Sequence, residues 1–178
     1  MRTPIQPKNI KFSNDAHIAA QNQIYPHIFN TQQDNLSFET VTIDNNLRHQ
    51  ILDGEMAVDR IVKVTIEVLQ HPLSFTIQER FRRPEFKRWQ DITITEWNYN
   101  SNLPSELYKL SGGLFVYGYY NEENNIIEQF VCFSSSQLLL SLARGNLEWK
   151  TQKNKKNQSF IGLPFKSLRE NGLILFEK

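Results

Sequence analysis

Asp59, Gln78 and Arg80 are three polar residues set into strongly apolar sequence. Asp59 follows the turn-like stretch DGE and opens the run VDRIVKVTIEV; Gln78 and Arg80 lie in FTIQERF, nineteen and twenty-one residues later. If the two runs pair as an antiparallel hairpin about LQHP, Asp59 falls opposite roughly Arg82, within two residues of Arg80. An acid beside a polar pair at a shared strand end is a candidate metal site. Hard cations such as Mg²⁺ favour carboxylate, amide carbonyl and water oxygens. Alternation points Glu79 away from Gln78, toward the apolar face, unless a bulge re-aims it. Glu55 and Glu96 are further oxygen donors, and Lys63 or Lys109 could bring an ammonium. Arg80 stays protonated, so it cannot act as a base, but it can stabilise charge building on a phosphoryl group. Five of the nine residues from Arg80 to Arg88 are basic. Arg82, Arg83, Lys87 and Arg88 are therefore candidate phosphate contacts, with Phe86 and Trp89 available to pack or stack on a base.

The elements that must position these residues follow from periodicity. In VDRIVKVTIEV, Val58, Val62, Val64, Ile66 and Val68 share one face and Asp59, Lys63, Thr65 and Glu67 the other, the period of two of a strand. Pro72 marks the turn that follows, since it removes a ladder donor. FTIQERF resumes the alternation and ITITEW is a third short strand. Upstream, residues 1–14 read as an irregular arm, and HIAAQNQI as a helix that Pro26 kinks or ends. FETVTI reads as a short strand and NNLRHQILDG as a helix. Downstream, SELYKL reads as a short helix and LFVYGYY as a strand buried on both faces. IIEQFVCF is another strand, and QLLLSLAR is a helix capped by Ser135 or Ser136. TQKNKKNQ reads as a basic loop, PFKSLREN as a helix and LILF as a terminal strand. The order predicts a mixed α/β domain over residues 15–178, a mixed central sheet flanked by helices.

AVDRIV followed by FTIQER resembles the motif of the PD-(D/E)XK, or restriction-endonuclease-like, nuclease superfamily. That motif is an acid followed by hydrophobic residues and then (D/E)-x-K, on a core of a helix, three strands, a helix and a further strand. YKLSGGLFVYGYY is similar to the helix-to-strand segment that follows in related proteins. The resemblance implies a restriction-endonuclease-like core. It puts Asp59 at the metal-binding aspartate, Gln78 at the second acid and Arg80 at the lysine. It also implies a metal-dependent DNA endonuclease, with Mg²⁺ or Mn²⁺ held by Asp59 and Gln78 or Glu79 to activate water. Arg80 would then hold a non-bridging phosphate oxygen. Because Gln78 and Arg80 replace an acid and a lysine, the same fold used without catalysis, to bind nucleic acid or a protein, is the competing expectation. A protein whose basic strand end is merely solvated is a third.

The totals narrow the classes. A formal net charge of +1 with 22% charged residues argues against a non-specific nucleic-acid coat, but not against one localised basic surface. With 39% hydrophobic residues and no membrane-length apolar run, a globular protein away from the membrane is expected. MRTPIQPKNIKF has no apolar core of a secretory signal, and the single cysteine, Cys132, fits packing in a reducing compartment; together they predict a cytoplasmic location. His17, His27, His49 and His71 show no ligand spacing and are read as surface or turn residues. Phe115, Tyr117, Tyr119 and Tyr120 are read as core. Cleavage of both strands of a duplex would favour a homodimer.

Overall fold

The structure, a computed structural model, describes residues 7–41, 47–111, 113–155 and 157–178. In chain order its helices and strands are α1 (Pro7–Gln23), α2 (Tyr25–Ile28), β1 (Leu36–Thr40), α3 (Leu47–Gly54), β2 (Arg60–Val64) and β3 (Leu73–Arg82). There follow β4 (Asp91–Asn98), β5 (Leu103–Pro104), β6 (Leu114–Asn121), β7 (Ile126–Ser134) and α4 (Ser135–Ala143). The chain finishes with β8 (Lys150–Lys153), β9 (Gln158–Pro164), α5 (Phe165–Glu170) and β10 (Ile174–Glu177). The protein is mixed α/β, with a six-stranded mixed sheet flanked by helices.

The strands build two sheets. The larger has the order β1-β2-β3-β6-β7-β10, and the smaller β5-β4-β9-β8. In the larger sheet every neighbouring pair is antiparallel except β3 and β6, which run parallel. Side chains that alternate along β6 feed two separate cores. Val116 and Tyr120 join Ile77, Phe130 and Cys132 beneath α1, whose Phe12, Ala16, Ala19 and Ala20 close that side. Phe115, Tyr117 and Tyr119 face the other way, onto Ile92, Ile94, Ile161 and Leu163 of the smaller sheet. A strand buried on both faces has no reason to carry polar residues, which is why LFVYGYY is continuous. Gly118, at the centre of this run, leaves room for neighbours. A Cβ there would lie 3.1 Å from two ring carbons of Phe81 and 3.1 Å from the Gln129 carbonyl oxygen.

Several expectations need correction. Residues 7–14 are the first half of α1 rather than part of an irregular arm; Pro7 sits in the first turn, where its missing N–H costs nothing. Residues 1–6 of that arm lie outside the described residues. ITITEW is indeed a strand, β4, but it belongs to the smaller sheet. Pro84 ends β3 and opens a 3₁₀ turn, Pro84–Trp89, and Gln90 at φ 46° redirects the chain away from β3. The meander is therefore β1-β2-β3, with FETVTI as its first strand. SELYKL forms a 3₁₀ turn, Glu106–Lys109, instead of an α-helix. Part of TQKNKKNQ is strand, because Lys150–Lys153 and Gln158–Pro164 pair as a hairpin. The helix through QLLLSLAR is capped one residue earlier than expected, by the Ser134 hydroxyl, which accepts from the Gln137 N–H at 3.4 Å. Among the described residues, no helix is long and apolar enough to cross a membrane.

Candidate functional site

The β2–β3 hairpin sets the geometry of the candidate residues. Arg60 pairs with Ile77, so the ladder is centred between Val68 and Leu69 rather than on LQHP. This shift moves Asp59 from the level of Arg82 to that of Gln78 and Glu79. The Asp59 N–H donates to the Ile77 carbonyl at 2.9 Å, and Asp59 Oδ2 accepts the backbone N–H of Glu79 at 2.8 Å. The structure thus brings Asp59, Gln78 and Glu79 together, and alternation divides their neighbours between the two faces of the sheet.

On the face toward α1, Glu79 is the hub of a buried ionic cluster. Its carboxylate accepts a hydrogen bond from the Tyr25 hydroxyl and lies 3.0 Å from His17 Nδ1 and 3.3 Å from Arg60 Nε. His17 Nδ1 is also 2.9 Å from Arg60 Nε, yet one ring nitrogen cannot both donate to Glu79 and accept from Arg60. Gln21 Nε2 lies 2.7 Å from His17 Nε2. A ring with its proton on Nδ1 donates to Glu79 and accepts from Gln21, leaving the Arg60 Nε–H to Glu79. His17 and Tyr25 are buried, so the surface reading of His17 is overturned. The physical reason is that Ala20 and Ile24, three and seven residues on, place His17 on the helix face turned to the sheet. That spacing was a usable signal. Nothing comparable marked Tyr25 or Arg60 as partners of Glu79.

On the opposite face a second acid, Glu106, takes the central place. Its carboxylate accepts Gln78 Nε2 at 3.1 Å, the Thr95 hydroxyl at 2.9 Å, the Thr95 N–H at 3.3 Å, and Arg80 Nη1. Arg80 Nη1 also donates to the Thr93 carbonyl at 2.9 Å. Gln78 and Arg80 therefore share a face, as their spacing predicts, but they are bound to Glu106. That acid sits 26 residues beyond Arg80, on the 3₁₀ turn after β5, and its sequence context gave no hint of this role. Gln78 Oε1 is buried without a hydrogen-bond partner.

Asp59 lies between these two clusters. Burial pushes its carboxyl up from 3.8 to about 7; the Glu79 N–H opposes the rise, the charges of Glu79 and Glu106 add to it, and Arg60 lowers it. It lines a cavity of about 370 Å³ together with Glu79, Arg60, Arg82 and Arg83.

The basic run is mostly neutralised. Arg82 Nη1 lies 3.7 Å from Asp91 and donates to the Tyr117 hydroxyl at 3.2 Å, Arg83 Nε is 3.1 Å from Glu122, and Lys87 Nζ is 3.5 Å from Glu128. Arg88 differs: it lies over the exposed ring of Trp89 at 5.1 Å, and among the described residues it has no acidic partner. Phe86 packs under Arg82, whose guanidinium carbon is 4.2 Å from the ring centroid. Glu55, Glu96, Lys63 and Lys109 are not brought into the Asp59 cluster by any contact described here; Lys63 lies 3.9 Å from Glu39.

As it stands this donor set does not suit Mg²⁺ or Mn²⁺. The oxygens of Glu79 and Glu106 are already occupied by donors, and Asp59 holds its proton close to neutral pH, leaving one amide oxygen, Gln78 Oε1, unclaimed. Among the described residues, no group of three histidine, cysteine, aspartate or glutamate side chains is placed to bind a metal. No family model and no curated protein matches the chain.

Proposed function

We propose that the chain is a restriction-endonuclease-like protein that binds nucleic acid without hydrolysing it. The fold part of the reading is supported by the order of α1, the antiparallel strands β1-β2-β3 and a crossover to the parallel strand β6, with Asp59 and the Gln78–Arg80 pair at one end of β2 and β3. It departs from the expected core at the crossover, where β4, β5 and a 3₁₀ turn stand in for a helix. One observation carries the loss of catalysis: both available carboxylates at the motif are consumed by internal partners, Glu79 by Tyr25, His17 and Arg60, and Glu106 by Gln78, Arg80 and Thr95. A metal would have to displace a buried guanidinium from one of them, and leaving such a charge unpaired is costly.

Nucleic-acid contact is assigned to Arg88 and Trp89, a cation and a flat ring exposed side by side beyond the end of β3. The carboxylate partners of Arg82, Arg83 and Lys87 make those three weaker competitors for backbone phosphate. Fluorescence anisotropy with single-stranded and duplex DNA should show salt-sensitive binding that drops in the Arg88→Ala/Trp89→Ala variant. Incubation with Mg²⁺ or Mn²⁺ should leave the DNA intact, and calorimetry should show no Mg²⁺ uptake. Metal-dependent cleavage that disappears in Asp59→Ala would overturn this reading in favour of the endonuclease. Absence of binding even at low salt would overturn the nucleic-acid assignment.

A further inference from the structure

The cavity beside Asp59 lies between the first turns of α1 and the end of β3. Its volume of about 370 Å³ is within the roughly 300–1,000 Å³ of small-molecule pockets. Three guanidinium side chains reach its wall: Arg60, Arg82 and Arg83. Arg60 is committed to Glu79 and Arg82 to Asp91 and Tyr117. Arg83 is only half used. Its Nε meets Glu122 and its plane lies over the Phe12 ring at 4.7 Å, but Nη2 is buried with no hydrogen-bond partner. A buried, permanently charged donor without an acceptor is costly, and an anion in the cavity would satisfy it. The exposed polar residues Asn9 and Ser13 of α1 line the same space, with the rings of Phe12 and Phe86. At its floor, burial holds Asp59 toward the neutral form, so the group nearest an entering anion is a poor source of repulsion below about pH 7.

We propose that this cavity is a binding site for the phosphate monoester of a nucleotide, with Arg83 Nη2 and Arg82 gripping the phosphate and the α1 side chains facing the sugar. The monoester could be a free mononucleotide or the 5′-phosphorylated end of a strand; the choice of a nucleotide rests on the nucleic-acid reading above, the anion site does not.

Binding would be measured by calorimetry with inorganic phosphate, AMP, and a short oligonucleotide with and without a 5′-phosphate. AMP or the 5′-phosphorylated strand should bind at least about tenfold more tightly than the unphosphorylated strand, the usual worth of a charged hydrogen bond. Tight binding of AMP identifies a free nucleotide; preference for the 5′-phosphorylated strand over AMP identifies the strand end. Ser13→Asp puts a negative charge at the cavity wall from an exposed helix position, so it should keep the wild-type Tm and weaken phosphate binding at least about tenfold. Arg83→Gln should do the same, and Arg83→Lys should recover part of the loss. Equal affinity for the two strands, or no effect of Ser13→Asp, would overturn the site while leaving Arg88 and Trp89 as a nucleic-acid surface. AMP binding without any oligonucleotide binding would support the site and overturn that surface. Failure of every phosphate probe to bind would also overturn the site.

Discussion

Glu79 and Asp59 are adjacent acids in opposite electrostatic situations. Glu79 is surrounded by donors and balances Arg60, so removing its charge strands a buried guanidinium. Glu79→Gln, similar in shape, should destabilise the fold by about 3–5 kcal/mol in urea titration. A change below about 1 kcal/mol would mean that Arg60 finds water instead. Asp59 is destabilising when ionised, because burial raises its carboxyl from 3.8 to about 7. Between those values the folded protein holds a proton that the unfolded chain releases, so the free energy of unfolding falls as pH rises across that window and levels off above about pH 7. Asp59→Asn keeps an oxygen for the Glu79 N–H and removes the titration. Its stability relative to wild type should therefore rise from pH 4 to pH 7.5, a trend that parallel denaturation curves would reveal; a flat difference would place the Asp59 carboxyl near its ordinary value.

At the scale of elements, the β2–β3 hairpin shows what alternation can and cannot determine. The period of two placed Gln78 and Arg80 on one face and Glu79 on the other, and both assignments hold. It could not fix the register, because Pro72 drew the turn toward LQHP while the ladder is centred between Val68 and Leu69. Nor could it say which sheet a strand joins. β4 alternates as β3 does, and only the turn at Pro84–Trp89 with the left-handed Gln90 separates them. Partners brought from far along the chain, such as Glu106 for Arg80 and His17 for Glu79, have no local signature, so the fold class was legible and the wiring of the site was not. Gly118 illustrates an element-level constraint that is legible only in three dimensions. Gly118→Ala pushes a methyl group against the fixed Gln129 carbonyl and the packed Phe81 ring. It should cost about 1–3 kcal/mol, measurable as a lower urea midpoint with an unchanged slope. A neutral result would show that the ring can yield.

Across the whole molecule, the chain passes between the two sheets repeatedly. β1 to β3 lie in the larger sheet, β4 and β5 in the smaller, β6 and β7 in the larger, β8 and β9 in the smaller, and β10 in the larger again. Such weaving has a consequence for how the protein comes apart. Neither sheet is a continuous piece of chain, so neither can melt while the other persists without tearing covalent neighbours from folded partners. The three tryptophans, Trp89, Trp97 and Trp149, lie in or beside the smaller sheet, whereas far-ultraviolet circular dichroism reports both. Fluorescence and dichroism should thus trace one coincident transition on heating. A separate, earlier loss of tryptophan signal would mean that the woven layers can let go one at a time.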